Sequence, residues 1–238
     1  MKTTILLTSI TILTIVILAI GCKSESKKYD VELSLMTDIT EPGFIAKPTA
    51  EDIKKYFSNR ASIWNGKKFN LIPITDVDIN YTYSADLPSE NVLVGNSYKR
   101  KKLEAEFFEE IEANFEKINA IPIGKTNSSI YIPIVNELNR LVKSSSTEKI
   151  LLIYSDLEEH SSLANFYNTS EIEKMVLAPD SIITLWEQNA VLPNLSGIHI
   201  KIIYEPRNPI DNKKFRTLLL FYKKLFESKG AEVSISAN

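Results

Sequence analysis

Three short polar clusters carry the residue types that could bind a metal ion. The first is 38–40 (DIT), the second is 124–129 (GKTNSS), and the third is 155–156 (SD). Together they offer two carboxylates and at least two hydroxyls. Such an oxygen-rich set of ligands suits a hard cation such as Mg²⁺. The chemistry requires a fold that brings the three clusters together.

The apolar runs beside these clusters predict the elements that position them. Residues 31–36 (VELSLM) precede the first cluster, and residues 149–154 (KILLIY) precede the third. Both have the length of a strand, and the second is typical of a central parallel strand that is covered on both faces. Helical spacing of apolar residues over 129–143 follows the second cluster. A doubly wound sheet would place all three clusters at the carboxyl ends of its strands, where ligands bind.

The remaining elements alternate in the same way. An alternating stretch at 68–83 and an apolar run at 91–94 predict an antiparallel pair of strands. Strands and helices in alternation predict an α/β doubly wound sheet, mostly parallel, with one antiparallel edge strand. Further helices are predicted from the N-cap Thr49 to about Asn59 and over 99–120, 171–177, 181–190 and 212–228, and further strands over 198–204 and 232–236.

This order of clusters and elements resembles the von Willebrand factor A-like (VWA-like) family. Its members share the element order and a metal-ion-dependent adhesion site. That site has a D-x-S-x-S motif after the first strand, a threonine before a central helix and an aspartate after the fourth strand. Pro42 replaces the last serine of the first motif, so one direct ligand is missing. The resemblance implies a Rossmann-type three-layer domain over 30–238. It also implies a bound Mg²⁺ whose coordination is completed by an acidic side chain of a protein partner. The implied ligands are Asp38, Thr40, Thr126 and Asp156.

The first 22 residues predict export and lipid attachment. Lys2 precedes an uncharged apolar run, and small residues lead into Cys22. This end resembles the bacterial lipobox, although Ala19 stands where leucine is usual. We therefore expect 1–21 to be a signal peptide and Cys22 to be the lipidation site. An uncleaved transmembrane anchor is the alternative, for which the apolar run is slightly short. Both place the domain outside the cytoplasm, at the cell envelope.

Composition narrows the class of protein further. Cys22 is the only cysteine among the 238 residues, which excludes disulfides within the chain and cysteine-based metal sites. Without 1–21 the chain keeps 27 of its 28 Lys and Arg residues against 30 Asp and Glu residues, a net charge of −3. A nucleic-acid partner is therefore not expected. The lysine- and serine-rich segment 22–29 is predicted to be a tether, followed by one domain over 30–238.

We expect a membrane-anchored lipoprotein whose VWA-like domain binds a protein partner with Mg²⁺, without catalytic residues. Two alternatives stay open: a metal-dependent hydrolase that uses the same carboxylates, and a metal-free structural lipoprotein of an envelope, conjugation or secretion assembly. His160 and His199 have no nucleophile beside them by motif. Residues 124–126 (GKT) end like a phosphate-binding loop, but Asn119 stands at the position of its first glycine.

Overall fold

The structure, a computed structural model, describes residues 27–41, 43–122 and 127–236. The predicted signal 1–21, Cys22, Pro42 and Thr126 lie outside these ranges. In chain order the elements are β1 (Val31–Asp38), α1 (Ala50–Ser58), β2 (Lys67–Ile74), β3 (Tyr83–Leu87), α2 (Ser97–Asn119), α3 (Tyr131–Val142), β4 (Glu148–Tyr154), α4 (Thr169–Leu177), α5 (Pro179–Glu187), β5 (Ile198–Ile203), α6 (Pro209–Glu227) and β6 (Glu232–Ser236). No helix among the described residues is long and apolar enough to cross a bilayer.

One six-stranded sheet organises the domain. Its strand order is β3-β2-β1-β4-β5-β6, and β3 alone pairs antiparallel with its neighbour. This arrangement confirms the predicted α/β class, a mostly parallel sheet with one antiparallel edge strand. The order reverses between β1 and β4, which makes their carboxyl ends the switch point of the sheet.

Helices cover the sheet on two faces and form a three-layer fold that fits the VWA-like class. Each fully buried aliphatic side chain contributes about 1.5–3 kcal/mol relative to an exposed one. The face against α1 and α2 is built from Leu33, Leu35, Phe69, Leu71 and Leu152. The face against α3, α4, α5 and α6 is built from Met36, Ile72, Leu151, Ile153 and Ile200.

The predicted strand over 91–94 is wrong. Those residues form a turn, in which Gly95 N–H donates to the Asn91 carbonyl oxygen at 2.9 Å. The antiparallel partner of β2 is instead β3, the last part of the alternating stretch 68–83 and the four residues after it. The stretch is interrupted because Thr75 Oγ1 donates to Asn80 Oδ1 at 2.5 Å and turns the chain.

The parallel strands give the domain two distinct edges. We call the edge where β1, β2, β4, β5 and β6 end the carboxyl edge, and the edge where they begin the amino edge. Asp38 lies at the carboxyl edge, at the end of β1. Leu87 pairs with Lys67, so β3 ends at the amino edge. An eight-residue strand separates the two edges by about 25 Å.

Candidate functional site

Three hydroxyl side chains converge on the buried carboxylate of Asp38. Thr40 Oγ1 donates to Asp38 Oδ1 at 2.7 Å, and the Thr40 amide donates to the same oxygen at 3.0 Å. Ser155 Oγ donates to Asp38 Oδ2 at 3.1 Å, and Ser128 Oγ donates to it at 3.3 Å. Asp38 is 5 % exposed. The three predicted clusters therefore do meet, and each supplies a hydroxyl to one carboxylate.

The second cluster reaches this site through Ser128. The implied ligand Thr126 lies outside the described residues. Ser128 belongs to the same predicted segment. The family motif has a threonine at this place, so matching the motif selects Thr126 instead of Ser128. The backbone of Ser128 forms two hydrogen bonds with His160, of 2.8 and 3.1 Å. This isolated bridge fixes the hydroxyl at Asp38, and sequence spacing contains no signal for it.

Asp156, the fourth implied ligand, sits in a constrained turn after β4. Its Oδ1 accepts from the Glu158 amide at 2.9 Å, and the carboxylate is 3 % exposed. The next residue, Leu157, is fully buried with φ 65°, a left-handed conformation that costs a non-glycine residue on the order of 1 kcal/mol. The Leu157 amide donates to Ser155 Oγ at 3.0 Å, which helps to hold the turn.

The surroundings of Asp38 and Asp156 disfavour the charged form of both carboxyl groups. Burial raises the pKa of Asp38, although the hydrogen bonds from Thr40, Ser155 and Ser128 lower it. Burial also raises the pKa of Asp156 well above its ordinary value, and the neighbouring charges of Asp38 and Glu158 raise it further. Among the described residues, no cation is a main cause of either shift. A positive ion at this place would relieve both costs.

Two acidic neighbours of this pair, by contrast, have their own cations. Glu158 pairs with Lys214, and Glu41 pairs with Arg207. These four residues come from three separate loops and helix α6, so no motif or spacing in the sequence links them. Asp38 and Asp156, unlike these two acidic neighbours, have no basic partner among the described residues.

Glu159 stabilises the segment next to the site by capping the N-terminus of α3. Its Oε2 accepts from the amides of Ile130 and Tyr131 at 3.0 and 2.8 Å. These are amides of the first helical turn, which have no acceptor within the helix. Burial, the largest effect, raises the pKa of Glu159 to about 7. The carboxyl group thereby fixes the start of α3 at Tyr131, three residues after Ser128.

Replacing Glu159 with alanine is expected to lower the free energy of unfolding by about 2 kcal/mol, because two buried amides lose their acceptor. Urea denaturation at pH 6, where the carboxyl group is mostly protonated, measures the change. Glu159→Gln is the matched control, since its amide oxygen can accept from both amides. Equal stability of the alanine variant and the parent would show that the cap contributes nothing.

The donor set fits a hard cation. A hydroxyl that donates its hydrogen to Asp38 keeps its oxygen lone pairs available to a metal ion. The described residues contain no group of three or more His, Cys, Asp or Glu side chains placed to hold a metal ion. What the site offers is two carboxylates and three hydroxyls, which suits Mg²⁺ that retains part of its water shell.

Exposed apolar side chains lie beside the site on the loop 75–82. Ser129 joins this loop to the start of α3, because its amide donates to the Thr75 carbonyl oxygen at 2.8 Å and its Oγ donates to Asp78 Oδ1 at 2.6 Å. Two side chains of the loop, Ile79 and Tyr81, are 83 % and 73 % exposed. Apolar groups next to a polar site are typical of a surface that binds another protein.

Comparisons with known proteins find similarity in backbone only. No family model matches the sequence, and no curated protein matches it. One similar solved structure is an aerotolerance-related membrane protein from Bacteroides fragilis, with 11 % identity and a TM-score of 0.41 over 87 % of this chain and 92 % of that chain. Another is the conserved hypothetical protein BatB from Bacteroides thetaiotaomicron, with 11 % identity and a TM-score of 0.36 over 87 % of this chain and 91 % of that chain.

Proposed function

We propose that this chain is a membrane-anchored bacterial lipoprotein whose VWA-like domain binds a protein partner at the carboxyl edge, with Mg²⁺ in the interface. Cys22 carries the lipid after 1–21 is removed. Asp38, Thr40, Thr126 and Asp156 hold the ion, partly through water. An acidic side chain of the partner completes the coordination.

One observation supports this proposal: hydroxyls from all three clusters donate to Asp38, and among the residues that the structure describes no cation pairs with it or with Asp156. Burying two carboxylates close together without a cation costs several kcal/mol. Simple capping residues would not need this arrangement, because an exposed aspartate caps a turn equally well. A site that is costly when empty and favourable with a divalent ion is what a metal-dependent adhesion surface needs.

The chain's own residues divide the work of binding. Asp38 and Asp156 supply the negative charge, and the hydroxyls of Thr40, Ser128 and Ser155 orient Asp38 through hydrogen bonds. When bound, Mg²⁺ supplies a positive centre that attracts an acidic group of the partner. The exposed apolar side chains of 75–82 provide contact area beside it.

The leading segment supports the anchoring half of the proposal on sequence grounds. An uncharged apolar run ends in Gly21-Cys22, and a diacylated or triacylated cysteine provides the two or more chains that stable attachment needs. Mass spectrometry of the protein purified from membranes tests this half. The expected mass is that of the chain from Cys22 plus acyl groups, and an intact Met1 with an unmodified cysteine would contradict it.

Mg²⁺ or Mn²⁺ at 100 times its dissociation constant is expected to stabilise the chain from Lys27 onwards by about 2.7 kcal/mol. That is a rise in melting temperature of roughly 5–10 °C for a domain of this size. Thermal melts in EDTA and then in millimolar metal measure it. The shift should disappear in Asp38→Asn, whose amide can still accept from Thr40.

Asp180→Asn is the matched control for this substitution, because Asp180 is exposed and far from the three clusters in sequence. It should leave the metal shift unchanged. If the parent and Asp38→Asn respond equally to Mg²⁺, the carboxyl edge does not bind the ion. The polar residues would then be capping groups of a metal-free interaction domain.

A further inference from the structure

The amino edge carries a compact exposed apolar surface, the turn 91–95 together with Tyr98. It lies on the opposite side of the domain from Asp38, between the end of β3 and the start of α2. The exposed fractions are 59 % for Val92, 88 % for Leu93, 84 % for Val94 and 83 % for Tyr98. Exposing three consecutive aliphatic side chains to water costs free energy. A turn of this kind is therefore expected to contact an apolar phase or another apolar surface.

The turn is rigidly built. Leu93 N–H donates to Asn91 Oδ1 at 2.9 Å, and Gly95 N–H donates to the Asn91 carbonyl oxygen at 2.9 Å. Gly95 packs so closely on Trp64 that an added Cβ would lie 2.3 Å from the ring. Because the turn is already ordered, little conformational entropy is lost when its tip enters an apolar phase.

A buried arginine holds together the helix and the loops that adjoin the turn. Arg100 is 2 % exposed and donates to the carbonyl oxygens of Ile63, Pro88 and Asn65 at 2.5, 2.7 and 2.9 Å. It therefore ties α2 to the loops before β2 and after β3. The exposed side chains of the turn 91–95 lie next to these loops, on the solvent side.

Lysines follow the turn immediately. Lys99, Lys101 and Lys102 are exposed at the start of α2, whose first turn contains no acidic residue. Positive charges at a helix N-terminus oppose the helix dipole, so apart from the ion pair of Lys102 with Glu106 at 3.6 Å these lysines gain little within the helix. They would be favoured next to an anionic surface, where each cation contributes to binding.

The described chain also begins at this edge. The Ser89 amide donates to the Lys28 carbonyl oxygen at 2.9 Å, and Lys27 pairs with Asp86 at 3.0 Å. Lys28 packs against Gly66, where an added Cβ would lie 2.5 Å from its carbonyl oxygen. Cys22 is six residues earlier, a reach of at most about 20 Å. A lipid on Cys22 would hold the apolar turn close to the bilayer.

We propose that the amino edge docks on a phospholipid bilayer, with Val92, Leu93 and Val94 inserted at the boundary between headgroups and acyl chains. Tyr98 lies at the interface, where aromatic hydroxyls are favoured, and the lysines contact lipid phosphates. The inference rests on the proposed lipid anchor at Cys22. The domain is then held in one orientation, and its carboxyl edge faces away from the membrane towards the partner.

Tryptophan quenching in vesicles tests this orientation. Leu93→Trp and Ile79→Trp are matched, because both replaced side chains are more than four-fifths exposed, at 88 % and 83 %, and they lie on opposite edges. The full chain, purified from membranes, is reconstituted in phosphatidylethanolamine–phosphatidylglycerol vesicles with and without brominated acyl chains. We expect bromine to quench the added emission of Leu93→Trp about twofold, as for an indole at the acyl boundary, and to leave that of Ile79→Trp unchanged.

The outcomes separate this inference from the anchor. Mass spectrometry of Cys22 reports the anchor independently of quenching. If Cys22 is acylated but the Leu93→Trp indole is not quenched, the anchor stands and the docked amino edge is refuted. If Cys22 carries no acyl groups, the anchor fails, and flotation of the unacylated chain with the anionic vesicles decides. Flotation that is lost in Leu93→Ser keeps the docking surface, and no flotation overturns it.

Discussion

Replacing Asp156 with asparagine is expected to raise the melting temperature of the metal-free protein and to abolish its response to Mg²⁺. Asparagine keeps the oxygen that accepts from the Glu158 amide, so the turn after β4 survives. It removes a buried charge that lies close to Asp38. The gain in unfolding free energy at pH 8 should be on the order of 2 kcal/mol, the scale of an uncompensated buried charge.

The pH dependence of this gain has a definite sign. Burial and like charges raise the folded-state pKa of Asp156 well above its value in the unfolded chain. The parent is therefore free of the penalty below about pH 4, and loses stability as the pH rises from there through the folded-state pKa. The asparagine variant does not titrate. Its advantage over the parent should be near zero at pH 4 and should grow towards pH 8.

Thermal melts in EDTA at pH 4, 6 and 8 measure the difference. Asp180→Asn again serves as the comparison, because Asp180 pairs with Lys224 at the surface, where an ion pair contributes little. A variant at Asp156 that is less stable than the parent at pH 8 would contradict the account. It would mean that some group compensates the carboxylate in the metal-free protein.

Local pattern predicted most of the fold because each strand and helix here is amphipathic or wholly apolar over its own length. The run 149–154 became β4 and the helix over 99–120 became α2 with shifts of at most two residues at either end. The hairpin was misplaced because alternation continues past Ile74, where a turn ends the strand. Val92 to Val94 look like a strand in sequence, but no sheet face covers them.

The site was predictable only where topology decides it. Asp38 is the last residue of β1, and Thr40 and Ser155 closely follow β1 and β4. Both strands end at the switch point of the sheet, so the meeting of these residues follows from the strand order. Ser128 reaches Asp38 through a backbone bridge to His160, a contact between two irregular segments. Lys214 pairs with Glu158 across 56 residues. Neither contact leaves a periodic signal in sequence.

The same limit applies to a buried ion network around Arg140, which no sequence pattern indicates. Arg140 on α3 donates to Glu32 Oε1 at 2.5 Å, and it contacts both oxygens of Glu137 at 2.6 and 2.9 Å. Glu32 lies on β1 and is completely buried. Burial raises the pKa of Glu32, but hydrogen bonds from Ser144 and Arg140 outweigh it and lower the pKa to about 2. This network joins β1, which ends at Asp38, to α3, which begins shortly after Ser128.

Replacing Arg140 with methionine is expected to lower the free energy of unfolding by about 3 kcal/mol at pH 7, because Glu137 loses the guanidinium group and Glu32 is left with Lys68 at 3.3 Å. The loss should shrink as the pH falls from about 4.5, the ordinary value of glutamate, towards 2, because the ionised Glu32 then no longer contributes to the parent. Urea denaturation across this range measures it. Arg140→Lys should recover part of the loss, since lysine keeps the charge but not the two-pronged contact with Glu137.

A double variant separates this network from the metal site. Adding Glu137→Gln to Arg140→Met removes one of the stranded charges and should restore about 1 kcal/mol. The stabilisation by Mg²⁺ should stay as large in Arg140→Met as in the parent, because Glu32 is six residues before Asp38 on β1, about 20 Å away along the strand. A smaller Mg²⁺ shift would mean instead that the packing of β1 against α3 sets the geometry at Asp38.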